Sequence, residues 1–288
     1  VPPAARPRAA ELGVDLPRVP PAGAGPLRLE DVERAAAEMP MREVAPAAPH
    51  MRAEPPATHG VPAPAEDRAA RLRGTIAAAM SRAKREVPHY YLGEQIALGA
   101  ALDALAALNA ERPPATRILP AALYVRAVAL AAREHRDFNG WYTAGEFRAA
   151  DEVHVGVAIA LRGGGLLAPA IMHADEKPLD TVMNELRDLI ARARAGSLQR
   201  RELTDATITV THLGEGGVQQ VYGIVYAPQV ALVGVGGIAV RPWVVGERVV
   251  PERTAWLTLS ADHRVTDGHA GSRFLASVAT RLGDPAAL

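Results

Sequence analysis

The hydrophobic residues of the chain follow a helical period in some segments and form strand-like runs in others. Apolar residues at helical spacing predict helices over about 71–85, 102–108, 119–132, 182–190 and 268–282. Runs rich in β-branched and aromatic residues predict strands over about 90–96, 153–161, 207–211, 230–235 and 256–259. Because helices and strands mix without strict alternation, the pattern favours an α+β fold with helices on one side of a sheet.

The N-terminal quarter of the chain differs from the rest in its proline and glycine content. Two short helical stretches, 4–13 and 28–38, flank a Pro/Gly-rich loop, so we predict a small helical domain over residues 1–37. Residues 38–67 contain seven prolines among Ala and Glu, which is typical of a flexible linker. Residues 68–288 carry the periodic apolar pattern and are predicted to form the main domain.

Composition excludes several classes of function. Of 288 residues, 32 are Lys or Arg and 32 are Asp or Glu, so the net charge of zero argues against nucleic-acid or anionic membrane partners. The chain contains no cysteine, which excludes disulfides, thiolate metal sites and a thiol nucleophile within it. We expect no membrane span, because no apolar run approaches about 20 residues. The chain opens at Val1 without a signal-peptide pattern, and we expect further residues upstream.

A histidine lies at a predicted strand-to-helix junction, within the run SADHRVTDG (260–268). At such a junction the backbone is fixed on both sides, so the ring of His263 can face a cleft. Histidine is the side chain best suited to move protons near neutral pH, and Asp267 follows four residues later at the helix start. On spacing alone, a surface histidine beside an N-capping aspartate explains these residues equally well.

A threonine ends a β-branched strand in the run ITVTHLG (208–214), just before a glycine-rich turn. The hydroxyl of Thr211 can therefore point into a cleft. Taken alone, a threonine that only satisfies its own turn is the simpler interpretation.

Together these two segments resemble one family. HRVTDG (263–268) is similar to the HxxxDG signature of the acyltransferase (E2) subunits of 2-oxoacid dehydrogenase complexes, which chloramphenicol acetyltransferase shares. THLG (211–214) is similar to the family's [ST]-N-x-G turn, and the separation of 263 − 211 = 52 residues is the one the family requires. Further similar runs are VPHYYL (87–92), FNGW (138–141), GLLAPAI (165–171) and APQVALVGVG (227–236). The resemblance covers residues 68–288 and implies a chloramphenicol acetyltransferase-like mixed sheet with helices.

The resemblance also implies a reaction and its residues. An acyl group would pass between dihydrolipoamide and coenzyme A without a metal. The segment His89-Tyr90-Tyr91 resembles acetyl-transferring members of the family, so we expect this group to be acetyl. His263 would act as the base and the Thr211 hydroxyl would stabilise the oxyanion. Asp267 would hold the His263 loop through an ion pair with Arg73, unless Arg73 is only a solvated helix charge. We assign His212 and Gly214 to substrate binding.

Several functions remain open beside this one. Branched-chain or acetoin-derived acyl transfer, an antibiotic O-acetyltransferase and a non-catalytic scaffold core all fit the same fold. The scaffold is disfavoured because Thr211, His263 and Asp267 are all present. The antibiotic enzyme is disfavoured by the N-terminal domain and linker.

The partners are likewise implied by the resemblance. The family builds its active site between subunits of a homotrimer, which assembles into 24- or 60-subunit cores. Lys84 and Lys177, the two lysines of the chain, lack the DKA context of a lipoyl hairpin, so a domain outside this chain should supply the lipoyl group. Such complexes act in the bacterial cytoplasm or an organelle matrix.

Residues 1–37 resemble a degenerate peripheral subunit-binding domain, through ELGVDL (11–16) and EDV (30–32). The family's arginine before the second helix is displaced to Arg28, and Pro7 interrupts the first helix. These departures weaken the expectation that the partner enzymes E1 and E3 dock here.

Overall fold

The computed structural model describes residues 19, 28–38, 65–161, 165–214 and 217–284, within two compact units, 1–60 and 61–288. In the first unit, helix α1 (Leu29–Glu38) agrees with the predicted helix at 28–38. The Asp31 carboxylate accepts the backbone N–H of Arg28 at 2.8 Å, and Val32 is fully buried. The predicted helix at 4–13 and most of the linker at 38–67 lie outside the described residues, so these domain boundaries stay a prediction.

The second unit is built on a mixed sheet. Its strands are β1 (His89–Ala97), β4 (Val155–Val157), β7 (Ala170–Ile171), β8 (Ile208–His212), β9 (Ala231–Val235), β10 (Ala239–Val245) and β11 (Arg248–Asp262). The order is β1-β11-β9-β8-β4-β7, with β10 paired to the first half of β11. β8 runs parallel to β9 and β4, and the other pairs are antiparallel. The predicted mixed sheet is confirmed.

Helices cover one face of this sheet. They are α3 (Gly99–Asn109), α4 (Pro120–Glu134), α5 (Leu179–Ala195), α6 (Arg200–Thr204) and α7 (Gly268–Gly283). Helix α2 (Ala65–Glu86) precedes β1, and most of its described side chains are exposed. Alternate strand residues such as Val210 and Leu259 form one core with apolar residues of α3, α4, α5 and α7. Phe138 and Phe274 stack at 4.5 Å between ring centroids and close this core beside α4.

Helix α4 is the central core helix. Its many alanines leave room for close packing, and Ala127, Val128 and Ala131 are fully buried. The segment Pro114–Glu134 is long and apolar enough to cross a membrane by length and composition, so our expectation that no segment qualifies was wrong. The structure buries most of this segment inside the protein, which explains its apolar character.

Two hairpins were not predicted from the sequence. β2 (Gly140–Thr143) pairs with β3 (Glu146–Ala149) around a turn in which Ala144 and Gly145 have positive φ. β10 and β11 form the second hairpin, so the strand predicted at 256–259 extends over fifteen residues. The short strands β5 (Ile159–Ala160) and β6 (Leu166–Leu167) form a separate pair.

Candidate active site

The turn between β11 and α7 carries His263. The carbonyl of Asp262 accepts the backbone N–H groups of Val265 and Thr266 at 3.0 and 3.1 Å, and the N–H of His263 donates to Pro88 at 2.9 Å. The ring of Tyr90 meets the His263 ring edge-on, with centroids 5.0 Å apart. The His263 side chain is exposed. The turn therefore fixes the backbone of His263 and leaves its ring accessible to solvent.

Asp267 caps helix α7. Its carboxylate accepts the backbone N–H of Ala270 at 2.8 Å, and this hydrogen bond lowers the pKa of Asp267. Among the described residues Asp267 forms no ion pair, so the predicted pair with Arg73 is not formed within one chain. The reason is the length of α2. Glu86, at the end of this helix, lies near the His263 turn, and Arg73 lies about 20 Å from Glu86 along the helix axis.

An ion pair that the sequence analysis missed flanks His263. Asp262 is fully buried, and its carboxylate accepts Arg264 Nη2 at 2.6 Å, Arg264 Nε at 2.9 Å and the Arg264 backbone N–H at 3.0 Å. The guanidinium also lies 3.9 Å above the centre of the Tyr142 ring on the β2–β3 hairpin. A signal was present in the sequence, because opposite charges stand directly before and after His263.

Thr211 and His212 end strand β8 and face opposite sides of the sheet. Thr209, which shares a face with Thr211, donates to Gln229 Oε1 at 2.7 Å on the side away from the helices. His212 faces α4 instead, with its ring 6.0 Å from that of Tyr124. Burial lowers the pKa of His212. Gly214 follows at φ +70°, a left-handed conformation that favours glycine and turns the chain away.

The sheet register separates Thr211 from His263 within one chain. Thr211 pairs with Gly234, Gly234 pairs with Thr258, and His263 lies five residues beyond Thr258. Two strand spacings of about 4.8 Å and five steps of about 3.4 Å place the two residues about 20 Å apart. A single chain therefore does not bring the predicted base and the predicted hydroxyl together.

One cluster among the described residues has the composition of a metal site. His154 Nε2 lies 3.2 Å from Glu152 Oε2, and His173 Nδ1 lies 3.8 Å from Glu152 Oε1. The backbone N–H of His173 donates to His154 Nδ1 at 3.1 Å, which assigns the ring proton to Nε2. Because that proton points towards Glu152, the His154 nitrogen that faces the cluster is not free to bind a cation.

Residues 63–288 match the sequence family described as 2-oxoacid dehydrogenases acyltransferase (catalytic domain). The chain belongs to this family. The family and the fold that the sequence motifs indicated are thereby confirmed.

Two relatives show how much of the acyltransferase family's chains this protein covers. The lipoamide acyltransferase component of the branched-chain alpha-keto acid dehydrogenase complex of Pseudomonas aeruginosa is 37% identical over 224 residues, 75% of this chain and 51% of that protein. The acetyltransferase component of the pyruvate dehydrogenase complex of Zymomonas mobilis is 29% identical over 207 residues, 72% of this chain and 47% of that protein. The chain thus spans about half the length of the curated relatives it matches.

Solved structures of acyltransferases share the fold. The cubic core of a pyruvate dehydrogenase multienzyme complex has a TM-score of 0.71 and 30% identity, covering 74% of this chain and 89% of that chain. The dihydrolipoamide acetyltransferase of Azotobacter vinelandii has a TM-score of 0.71 and 29% identity over the same shares. The roles of a serine, a histidine and an asparagine in its mechanism have been investigated. That serine precedes the histidine by 52 positions, and the asparagine follows it by four.

Proposed function

We propose that residues 61–288 transfer an acyl group, acetyl in the first instance, between dihydrolipoamide and coenzyme A in the core of a 2-oxoacid dehydrogenase complex. The observation that carries this proposal is the spacing of three residues. Thr211, His263 and Asp267 are separated by 52 and four positions, as are the serine, histidine and asparagine of the A. vinelandii enzyme. The hydroxyl and the imidazole are thus retained, and an aspartate replaces the asparagine.

The proposed reaction is a thioester exchange with His263 as general base. A thiol is a weak nucleophile near neutral pH, so a base must remove its proton. A ring nitrogen of His263 takes the proton from the coenzyme A thiol, and the thiolate attacks the carbonyl carbon of the acyl-dihydrolipoamide. The tetrahedral intermediate then collapses, and the leaving dihydrolipoyl thiolate recovers the proton from His263.

Thr211 stabilises the charge that develops on the carbonyl oxygen. Its hydroxyl donates a hydrogen bond to the oxyanion, and one such donor typically contributes about 3 kcal/mol to lowering the barrier. Asp267 supports the turn by capping α7 and moves no proton. Its exposed carboxylate bonds to a backbone N–H and not to the His263 ring.

We propose that the active site forms between chains of a homotrimer. The separation of about 20 Å between Thr211 and His263 supports this, because hydrogen-bond reach is about 3 Å. One chain would supply the histidine, and its neighbour would supply the hydroxyl. The similarity to a cubic multienzyme core supports further assembly into a 24-subunit particle, with a 60-subunit particle as the alternative.

The acyl group is proposed from the segment His89–Tyr91 at the start of β1. Tyr90 packs against His263, so this segment forms part of the wall beside the base. Branched-chain transfer is the second candidate, because the P. aeruginosa branched-chain component shares 37% identity with this chain. Acetoin-derived acetyl transfer would use the same pocket.

Three further assignments follow from this function. A domain outside these residues supplies the lipoyl group, and E1 and E3 are the candidate partners of residues 1–37. The complex acts in a bacterial cytoplasm or an organelle matrix; the relatives include bacterial components and a mitochondrial one from Caenorhabditis elegans.

The test is steady-state exchange between free dihydrolipoamide and a panel of acyl-CoA thioesters. Acetyl-CoA should give the highest kcat/KM, although one methylene changes specificity by only about 1–3 kcal/mol. His263→Ala should lose at least about 100-fold in kcat while keeping its assembly state. No exchange with any thioester would establish a scaffold core and refute the proposal.

A further inference from the structure

Residues 217–226 form a segment without regular secondary structure on the face of the sheet opposite the helices that form the core. Thr258 marks this face, because its two neighbours in β11 point into the core on the helix side. The Thr258 hydroxyl donates to the carbonyl of Val221, and a Cβ built on Gly234 would collide with that same oxygen. Segment 217–226 therefore lies directly on strands β9 and β11.

One end of this segment lies beside the hydroxyl that is proposed to stabilise the oxyanion. Gly234, which Val221 covers, is the strand partner of Thr211. Paired residues of neighbouring strands point to the same face of a sheet, so the Thr211 side chain and the segment lie on one side. The backbone at Val221 is therefore a neighbour of the Thr211 side chain.

The other end of the segment is held by His89. The backbone N–H of Val225 donates to His89 Nε2 at 3.1 Å, and His89 Nδ1 donates to the carbonyl of Val87 at 2.8 Å. Because a carbonyl only accepts, the ring proton is on Nδ1 and Nε2 is the acceptor. Burial lowers the pKa of His89, so the ring stays neutral near pH 7 and keeps this lone pair. Both ring nitrogens thus bond to the protein backbone.

His89 itself is fixed beside the active-site turn. It is the strand partner of Asp262, which directly precedes His263. The carbonyl of Pro88, the residue before His89, accepts the His263 N–H at 2.9 Å. Val225 is fully buried, and a buried N–H without an acceptor is costly. Loss of the His89 acceptor should therefore let the segment move until water reaches this N–H.

We propose that His89 is a positioning residue for acyl transfer, which holds segment 217–226 on the sheet between the Thr211 side chain and the His263 turn. It acts through the backbone of Val225 and moves no proton, because both of its ring nitrogens are already bonded. This role does not depend on which acyl group is transferred. The inference rests on the proposed acyl transfer, since it concerns the rate of that reaction.

Two substitutions that differ by one methylene separate the two hydrogen bonds of His89. His89→Asn places an amide where Nδ1 lies, so it can donate to Val87 but cannot reach Val225. His89→Gln carries the amide one bond further, to where Nε2 lies, so its oxygen can accept the Val225 N–H. His269→Asn makes the first change at an exposed position and serves as the control.

Two properties are measured in the assembled protein. Mass spectrometry follows hydrogen–deuterium exchange in peptides that cover segment 217–226, and steady-state assays give kcat and KM for dihydrolipoamide and for coenzyme A. Thermal unfolding confirms that each variant folds. His89→Asn should speed deuterium exchange in the segment and lower kcat about fivefold to tenfold, with both KM values within about twofold of wild type. His89→Gln and His269→Asn should stay within about twofold of wild type in both properties.

The inference fails if folded His89→Asn keeps wild-type deuterium exchange in the segment, or if its deuterium exchange rises while kcat is unchanged. It also fails if His89→Gln loses as much kcat as His89→Asn, because the acceptor would then not be the group that matters. Each of these results leaves the acyl transfer standing. A wild type without acyl exchange would refute the proposed function and with it the role of His89 in the rate, while deuterium exchange would still show whether His89 holds the segment.

Discussion

At the residue scale, the buried Asp262 and its partner Arg264 hold the backbone on both sides of His263. The carboxylate is fully buried and receives two guanidinium nitrogens, while the same guanidinium covers Tyr142. The residue between them is therefore presented by a rigid turn. Because Arg264 keeps about a third of its side chain exposed, its charge stays partly hydrated and the pair costs less to bury.

Removing Arg264 should destabilise the protein and slow the reaction. Arg264→Ala leaves the Asp262 carboxylate buried without its partner, so we expect a loss of about 2–3 kcal/mol in the free energy of unfolding. The Asp262→Ala/Arg264→Ala double variant should lose less than the sum of the singles. Urea unfolding of all three proteins measures these losses in stability, and acyl exchange by the folded Arg264→Ala variant measures the change in rate.

The matched control is the exposed pair Arg136–Asp151, in which Arg136→Ala should cost less than about 1 kcal/mol. Equal losses in Arg264→Ala and Arg136→Ala, or additive losses in the double variant, would contradict a structural role for the buried pair.

The sequence identified the proposed catalytic residues better than the residues that position them. His263 and Thr211 stand out because their motifs follow apolar strands and precede turns. Arg73 was paired with Asp267 through family resemblance, whereas the cap on α7 and the pair Asp262–Arg264 depend on backbone geometry. A sequence motif shows which side chains are present, but the position of a helix such as α2 in the fold determines which charged groups come within contact distance.

At the scale of elements, α7 approaches β1 most closely at Gly271. A Cβ built on Gly271 would lie 2.8 Å from the Tyr90 hydroxyl and 2.8 Å from Leu92 Cδ1. Tyr90 in turn packs on His263 and shares a 2.9 Å hydrogen bond with Thr266. The small residue thus allows the helix that follows the active-site turn to lie directly against the strand beside it.

The same substitution at two glycines should have opposite effects. Gly271→Ala should lower the free energy of unfolding by about 1 kcal/mol, because the added methyl displaces Tyr90 and Leu92. Gly74→Ala, within α2, should raise it by about 0.5–1 kcal/mol, since among the described residues an added Cβ there meets open space. Chemical denaturation measures both. A stabilising Gly271→Ala would show that α7 and β1 are not tightly packed.

The elements that were predicted are those with a strong apolar pattern. Strands β8 and β9 and helices α4 and α7 bury one or both faces, so their periodicity is visible in the sequence. Strand β1 packs the partly buried Tyr90 and Leu92 against the same core. The hairpin of β10 and β11 was missed because its outer part is exposed. It also places Pro242 opposite Pro251, and prolines within a run argue against a strand.

At the scale of the whole molecule, several histidines tie stability to pH. Burial is the main reason that the pKa values of His89, His135, His154 and His212 lie below the usual 6.5. At pH values below about 6.5, these histidines therefore bind more protons in the unfolded chain than in the folded chain. The stability from the neutral rings is fully present above pH 6.5 and is lost as the pH falls through the folded pKa values.

The urea concentration at the unfolding midpoint should accordingly decrease as the pH is lowered from 7.5 to 5.5. His154→Asn should flatten this dependence, because the amide oxygen can still accept the His173 N–H but cannot be protonated in this range. His269→Asn, at an exposed position, should leave the slope as in wild type. A steeper or unchanged slope in His154→Asn would contradict the assignment.

The central claim is that each active site takes His263 from one chain and Thr211 from its neighbour. The sheet register leads to this claim, because it holds the two residues about 20 Å apart within a chain. Family motifs in the sequence imply the same arrangement, but only the strand pairing supplies a physical reason for it.

The most direct measurement is complementation between two inactive variants. Thr211→Ala and His263→Ala chains are mixed under conditions of subunit exchange, native mass spectrometry confirms mixed trimers, and acetyl exchange is assayed. In a cyclic trimer with random mixing, about a quarter of the sites join an intact histidine to an intact threonine, so about a quarter of wild-type activity should return. Mixed trimers that stay inactive, or a fully active monomer, would contradict a site shared between chains.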